Sequence, residues 1–380
     1  MKKKDIAFVV NGLYGGGAER VLQVFLNNFD RRKYNITLVN YREEDINNEF
    51  YPADIKYISI LKNLEKKRSK AGRIWAKIYN KINLIVYDNF SPRAFRQLYL
   101  RDKFDIEIAF IEGYATRIVS GGRSNKKIAW VHIDLKLYPW TDIAFRSMNE
   151  QIKCYLSFDE VVSVSKSVQK SVEELFLHES IVIYNPIDTE GIRRMSSLFT
   201  VERKENTLLF ISVGRLVPQK GYDRLIPIVG KLIAEGFNLN LWIVGEGAER
   251  KHLEELIKEW KLEGIVRLLG YQSNPYPYIK VADWLVFSSR YEGYGLVVAE
   301  ALILKTPVIS VMCAEMEQLL GERNEWGIIV ENEDIALLNG MKNILENAEQ
   351  TTLYTAQAIE GGSRFSLERQ MNEIYNVIDN

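Results

Sequence analysis

Two glutamates, Glu292 and Glu300, enclose seven residues in Arg290-Tyr-Glu-Gly-Tyr-Gly-Leu-Val-Val-Ala-Glu300. The run before them, Trp284-Leu-Val-Phe-Ser288, has the composition of a buried strand. The run after them, Leu296-Val-Val-Ala-Glu-Ala-Leu-Ile303, reads as an apolar helix. A strand, a glycine turn and a helix N-terminus leave backbone N–H groups free beside a positive dipole end, which suits an anion. The amides of Gly293, Tyr294, Gly295, Leu296 and Val297 are the candidates to hold it. Glu292 lies in the loop and Glu300 one turn into the helix, so hydroxyls on carboxylates and a diphosphate on amides fit together as a nucleotide-sugar pocket. Acidic residues reach this spacing by chance in many chains, so the pair needs support from elsewhere.

A second charged loop supplies it. Leu208-Leu-Phe-Ile-Ser-Val213 reads as a buried strand, and Gly214-Arg-Leu-Val-Pro-Gln-Lys-Gly221 follows before a helical pattern starts at Tyr222. Ligands of open α/β sheets bind at the carboxyl ends of strands, where Arg215 and Lys220 would sit. Arginine can fork onto a diphosphate and lysine can meet it as a mobile point charge. Two stray charges on a solvated loop are the plainer reading. The third element, Asn11-Gly-Leu-Tyr-Gly-Gly-Gly-Ala-Glu-Arg20, follows the strand Ile6-Ala-Phe-Val-Val10. Gly15, Gly16 and Gly17 at a strand-to-helix junction let a ligand approach the backbone closely. Ala18, Val21, Leu22, Phe25, Leu26 and Phe29 then keep a helical spacing.

The elements that must position these residues alternate along the chain. Strand candidates lie at 6–10, 36–40, 55–60, 105–110, 127–131 and 160–164, then at 208–213, 240–244, 265–268, 284–288, 308–311 and 327–330. Helical patterns fill 222–235, 249–261, 296–304 and 334–347. Such alternation implies an α/β protein with parallel, doubly wound sheets. With 380 residues, about two domains are expected. We place the first at 1–188 and the second at 207–364. The turn Tyr184-Asn-Pro-Ile-Asp188 leads into a polar, poorly periodic linker at 189–206. The final stretch, 365–380, reads as a helix.

Composition narrows the function. No run of eighteen apolar residues is present, so no spanning helix is expected. The N-terminus passes directly into a strand rather than a secretory core, and Cys154 and Cys313 stand apart, which together suit a reducing cytoplasm. The three histidines, His132, His178 and His252, are scattered, and no D-x-D triplet suggests a metal. The zero net charge hides an asymmetry: residues 1–185 hold 30 Lys/Arg and 22 Asp/Glu, a balance of +8, and the remainder balances it at −8. The basic half favours an anionic partner; no nucleic-acid module is visible, so an anionic membrane surface fits better.

The three loops, in this order and separation, resemble those of the GT-B glycosyltransferases, specifically the retaining family 4 type. The likeness covers nearly the whole chain, and the Gly-Gly-Gly-Ala-Glu-Arg start is similar to the branch that builds capsule, exopolysaccharide and lipid-linked oligosaccharide. It implies two Rossmann-like domains facing across a cleft, with an acceptor-binding first domain, a donor-binding second domain and a last helix crossing back onto the first. It further implies that Glu300 accepts from the donor ribose, that Glu292 touches donor-sugar hydroxyls, and that Arg215 and Lys220 stabilise the departing nucleoside diphosphate without a metal or other cofactor. The 15–17 loop would face the donor phosphate or the acceptor, and the base would lie near Gly270 and Tyr271. His132, in Ala129-Trp-Val-His-Ile-Asp134, matches the family's acceptor-side histidine in context, although a lone histidine fits a structural role equally. The donor would be a UDP-sugar and the acceptor a glycan or a polyprenyl-diphosphate-linked chain. Other enzymes of this shape fit less well. A phosphorylase would need a pyridoxal lysine and a longer chain, and a nucleotide-sugar epimerase would lack the paired loops. A silent binding subunit would have no reason to keep every charged residue.

One stretch bears on location. Between residues 62 and 86, Lys66, Lys70, Arg73, Lys77 and Lys81 share one helical face, and Ile74, Trp75, Ile78, Tyr79, Ile82 and Val86 the adjoining one. A basic stripe beside an apolar face suits a helix lying in the headgroup layer on the inner side of the cell membrane. The same pattern also suits a helix that packs its apolar face on the sheet and leaves a solvated basic side.

Overall fold

The computed structural model describes residues 2–13, 16–43, 51–64, 69–203 and 207–380, without the side chains of Lys70 and Ala71. It divides into two compact units. One comprises Met1–Pro186 with Glu368–Asn380, the other Ile187–Leu367.

The first unit opens with β1 (Lys4–Val10), α1 (Gly17–Asn28), β2 (Tyr34–Arg42) and β3 (Lys56–Leu61). Two helices follow, α2 (Lys70–Asn89) and α3 (Pro92–Tyr99), then β4 (Ile106–Ala109), α4 (Tyr114–Ser120) and β5 (Lys126–Val131). It continues through α5 (Met148–Tyr155), β6 (Glu160–Ser163), α6 (Lys166–Phe176) and β7 (Ile181–Val182). All strands are parallel, in the order β3-β2-β1-β4-β5-β6-β7. Parallel strands need covered crossovers, so their sequences are continuously apolar: every residue from Ile6 to Val10 is fully buried. α1 covers β1 through Val21, Leu22, Phe25 and Leu26. Phe25 meets Phe110 and Trp130 edge-on at 5.0 and 5.2 Å, an arrangement that adds to the burial of each ring.

The second unit begins with α7 (Thr189–Met195), β8 (Leu208–Val213), α8 (Tyr222–Ala234), β9 (Leu239–Val244) and α9 (Arg250–Glu259). It proceeds through β10 (Val266–Leu268), α10 (Tyr276–Val281), β11 (Trp284–Phe287), α11 (Leu296–Ile303) and β12 (Val308–Val311). It closes with α12 (Met316–Leu320), β13 (Ile328–Val330), α13 (Asp334–Glu346) and α14 (Ala348–Ser363). Its parallel sheet runs β10-β9-β8-β11-β12-β13. Phe210, Leu225, Val229, Ile243, Trp284, Val286 and Met341 fill its core. Both sheets are therefore doubly wound, and each reverses between its first and fourth strands: β1 against β4, and β8 against β11. The crevice at such a reversal is where open α/β sheets bind ligands.

The stretch expected to be an irregular linker, 189–206, instead starts with α7. Asp188 caps it, its carboxylate accepting the Gly191 N–H at 2.8 Å, and Ile192 buries itself. The Asn274 side chain donates to the Met195 carbonyl at 2.8 Å, so α7 belongs to the second unit. Seven residues are too few to show a helical period against a polar background. The last helix, α15 (Leu367–Asp379), packs on the first unit. Tyr375 meets Phe29 and Tyr34 at ring distances of 5.2 and 6.2 Å, and Asp379 accepts from the Tyr34 hydroxyl at 2.6 Å.

Candidate functional site

In the second unit the loops after β8 and β11 flank the reversal. A 3-10 turn at Pro218–Lys220 folds Lys220 back over Gly214, where an added Cβ would lie 2.9 Å from the lysine Cε. Gly221 follows at φ 68°, and a Cβ there would stand 2.2 Å from the Ser288 carbonyl oxygen. Glycine alone allows both the conformation and the approach. The two loops are stitched together. The Arg290 N–H donates to Gln219 O at 2.8 Å, the Gln219 side chain to Tyr291 O at 3.0 Å, and the Ser288 hydroxyl to Lys220 O at 2.9 Å. Buried Arg224 donates to Ser288 O at 2.7 Å. Arg290 grips Asp223 with a fork of 2.8 and 2.7 Å, which holds the Asp223 carboxyl below its ordinary range.

This stitching brings together residues that the sequence singled out separately. Lys220 Nζ forms an ion pair with Glu292 Oε1, and the Ser289 hydroxyl donates to the same oxygen at 3.0 Å. Arg215 is exposed on the same loop and makes no ion pair among the described residues. Gly293, Tyr294 and Gly295 are buried. Gly295, at φ 90°, caps α11, and the first N–H groups of that helix, on Leu296 and Val297, have no partner within it. Glu300 is buried one turn later and accepts from the Tyr276 hydroxyl at 3.2 Å. Tyr271 is 60% exposed and follows Gly270, whose carbonyl accepts the Gly245 N–H at 2.9 Å at the end of β9. Sequence reasoning missed Gly245 and Gly247, where a Cβ would stand 1.9 Å from Gly214 O and 2.2 Å from Leu216 O. The Gly-Glu-Gly spacing after a strand was the available signal.

The first unit carries its own cluster at the equivalent reversal. Gly15 lies outside the described residues. Gly16 precedes α1, and a Cβ there would stand 2.6 Å from the Glu19 carboxylate, which folds back toward the helix start. Asn11, at the end of β1, donates to Glu112 O at 2.7 Å and accepts the Ala115 N–H of α4 at 2.8 Å. His132 follows β5, with its N–H on the Glu112 carboxylate at 3.0 Å and its ring Nε2 on the Phe110 carbonyl at 2.8 Å. A carbonyl can only accept, so Nε2 carries the proton and Nδ1 keeps its lone pair. Burial lowers the His132 pKa to about 4, and the ring is neutral near pH 7. Glu112 also accepts the Trp140 indole N–H at 3.2 Å, and burial raises its pKa. Nothing in the sequence marked Glu112, a single acid after a short strand. Among the described residues, no group of three acidic, histidine or cysteine side chains could hold a metal ion.

α2 settles which of its faces turns inward. Ser69 caps it, accepting the Gly72 N–H at 3.0 Å. Gly72, Ala76, Asn83 and Tyr87 turn toward the unit, with Tyr79 and Val86 half-buried. Ile74, Trp75 and Ile82 are 60%, 66% and 54% exposed, and Ile78 is exposed beside them. The expectation that Tyr79 and Val86 share the exposed apolar stripe is thus corrected: the body claims both. Arg73, Lys77 and Lys81 line the neighbouring solvent face. Lys66 lies outside the described residues, as does the side chain of Lys70. Buried Arg117 holds the far end of the helix, donating to Tyr87 O at 2.8 Å and Phe90 O at 3.0 Å and pairing with Glu150 at 3.1 Å. No helix among the described residues is long and apolar enough to cross a membrane.

Comparison with known proteins bears on the family and the fold. Residues 196–360 match the family model of glycosyl transferases group 1. A relative from Campylobacter jejuni, N-acetylgalactosamine-N,N'-diacetylbacillosaminyl-diphospho-undecaprenol 4-alpha-N-acetylgalactosaminyltransferase, is 30% identical over 225 residues, covering 56% of this chain. The chain spans 59% of that relative's length. The amylovoran biosynthesis glycosyltransferase AmsD of Erwinia amylovora is 24% identical over 90% of both chains. Among solved structures, Anabaena Alr3699/HepE in complex with UDP and glucose superposes with a TM-score of 0.74 over 99% of both chains at 18% identity. The chain has the GT-B fold, and the match to the glycosyl transferases group 1 model falls within its second unit.

Proposed function

We propose that this protein is a retaining glycosyltransferase that moves a hexose or N-acetylhexosamine from a nucleotide sugar, with UDP as the preferred nucleotide, to a glycan or polyprenyl-diphosphate-linked acceptor in cell-surface polysaccharide biosynthesis. The observation that carries the reading is the stitched pair of loops at the β8–β11 reversal, which sets Lys220, Glu292 and the start of α11 side by side. In the transfer, the bond from the anomeric carbon to the diphosphate oxygen breaks and a bond to the acceptor oxygen forms. The departing diphosphate gains the negative charge and would take up the proton that the acceptor hydroxyl loses. Arg215, Lys220 and the α11 amides would stabilise that charge, so that no metal is required. Lys220 would exchange Glu292 for a phosphate oxygen as the donor binds, freeing Glu292 for a sugar hydroxyl. Glu300 would accept from the ribose, and His132 Nδ1 from a sugar hydroxyl. The Campylobacter relative's name, with its diphospho-undecaprenol acceptor, and the UDP in the Anabaena complex support the choice of substrates.

The same reading places the enzyme at an anionic membrane surface on the cytoplasmic side. α2 turns an apolar stripe of Ile74, Trp75, Ile78 and Ile82 to solvent beside Arg73, Lys77 and Lys81. The buried face is a different one, so the stripe is not the helix's packing surface. Each cation near such a surface contributes about 1 kcal/mol, enough in combination with the stripe for reversible attachment. The functional reading is tested by a panel of UDP- and GDP-sugars, scored for thermal stabilisation and for release of free sugar. Stabilisation by a nucleotide together with slow donor hydrolysis is expected. A protein that no nucleotide stabilises and that releases no sugar would overturn the reading.

A further inference from the structure

We infer that Glu112 is the positioning residue for His132, fixing the position from which the imidazole, whose tautomer the Phe110 carbonyl sets, meets a sugar hydroxyl; this rests on the transferase reading above. The carboxylate is 4% exposed and lies under the loop ends of three parallel strands. One oxygen accepts the His132 N–H at 3.0 Å, and the other the Trp140 indole N–H at 3.2 Å. The backbone carbonyl of Glu112 accepts from Asn11, whose other side-chain atom caps α4. One residue therefore ties the end of β1, the end of β5 and the 3-10 turn at Trp140–Ala144 to a single point. Gly113 makes this approach feasible: it stands at φ 96°, and a Cβ there would meet the Trp140 ring at 3.0 Å.

The grip acts on the imidazole indirectly. The ring's Nε2 rests on Phe110 O, two residues before Glu112 on the same loop. The backbone N–H of His132 is held by the Glu112 side chain, so both ends of the histidine are referred to one loop. Moving either contact rotates Nδ1 away from its target. Other charged or titratable groups near Glu112 are Glu19, from α1, and Tyr155, from α5. Neither substitutes for the carboxylate, because each of its two oxygens holds a separate donor.

That geometry provides a specific test. In Glu112→Gln the amide oxygen can serve one donor, while the amide NH2 must oppose the other. Trp140→Phe removes the indole donor, so the double variant Glu112→Gln/Trp140→Phe lets the amide oxygen take the His132 N–H unopposed. We expect Glu112→Ala and Glu112→Gln to lower kcat by about tenfold to a hundredfold, less than the roughly hundredfold to ten-thousandfold that a proton-transfer group itself contributes because Glu112 acts through His132, with KM for the donor changed by less than about threefold. The double variant should recover to within about threefold of Trp140→Phe alone. An activity-independent readout is available in the side-chain nitrogen–proton NMR spectrum of the three histidines, assigned through His178→Gln and His252→Gln. Wild type should show His132 as the neutral Nε2–H form, and Glu112→Ala should shift its signals. If Glu112→Ala does not fold, the Glu112→Gln pair provides the comparison. Unchanged His132 signals with kcat within threefold, or no recovery in the double variant, would overturn the assignment. A wild type that transfers no sugar would count against the transferase reading alone, since the NMR arm still reports on Glu112.

Discussion

Replacing Lys220 by alanine should separate stability from turnover. In the ligand-free protein its ammonium pairs with Glu292, and the two side chains are only 17% and 13% exposed. Alanine removes the cation and leaves a half-buried carboxylate whose remaining hydrogen-bond partner is the Ser289 hydroxyl at 3.0 Å. Breaking a fully buried pair costs about 3–5 kcal/mol and breaking an exposed one about 0–1, so this site should cost about 1–2 kcal/mol. For a unit of this size, that corresponds to a melting temperature lower by about 2–8 °C. Turnover should fall by about a hundredfold or more, the scale of losing one stabiliser of transition-state charge. The double variant Lys220→Ala/Glu292→Ala removes the orphaned carboxylate as well. It should regain most of the stability while remaining as slow as either single variant. Arg215→Ala is the control, because its side chain is exposed without an ion pair: turnover should fall similarly with no change in melting. The assays are thermal melting without ligand and initial rates of sugar release. Lys220→Ala that melts like wild type, or a double variant no more stable than it, would refute the pairing argument. Turnover within a fewfold of wild type would remove Lys220 from the donor site.

Glu300→Ala should weaken UDP binding, since a ribose contact exists in the free nucleotide, whereas Glu292→Ala should spare UDP affinity and reduce turnover; calorimetric titration checks both, and equal losses would reverse the division of roles. Wild-type protein should sediment with anionic vesicles at low salt and be released at high salt, and Arg73→Gln/Lys77→Gln/Lys81→Gln or Trp75→Gln should weaken this; no sedimentation by wild type would favour a soluble acceptor. His132 has a folded-state pKa of about 4 against an ordinary 6.5, so the unfolded chain binds the proton more readily. Its contribution to stability is complete above pH 6.5 and is lost as pH falls through 4, by about 3 kcal/mol, and His132→Asn should flatten that part of a melting-versus-pH curve.

How much of this was legible in the sequence depended on range. The loops at 214–221 and 292–300 could be read because glycines and charges that act together stand within a few positions of one another. Their joining could not be read, because Arg290 finds Asp223 and Arg224 finds Ser288 across more than sixty residues. The amphipathic pattern of α2 was plain, yet its inward face is made of Gly72, Ala76, Asn83 and Tyr87, residues no hydropathy pattern would select. Helix α7 was hidden by its length, and Glu112 by having no neighbours in sequence that share its task. Close backbone approaches, such as Gly245 on Gly214, depend on strand order, and order is a property of the assembled sheet.

The reversal of strand order at β1–β4 and again at β8–β11 means that one architectural device serves twice, with different electrical character. The second unit hangs both signs from it, Arg215 and Lys220 beside Glu292 and Glu300; the first hangs carboxylates, Glu19 and Glu112. Each set is braced by hydrogen bonds to its own sheet, Asn11 and Trp140 in one and Arg224 and Arg290 in the other. Substitutions that remodel one set therefore leave the bracing of the other intact. On the proposed reading, in which the second unit handles the phosphates, a lineage built on this plan would keep that half unchanged while the other half drifts toward new hydroxyl partners, and new glycan linkages would arise from changes confined to one half of the chain.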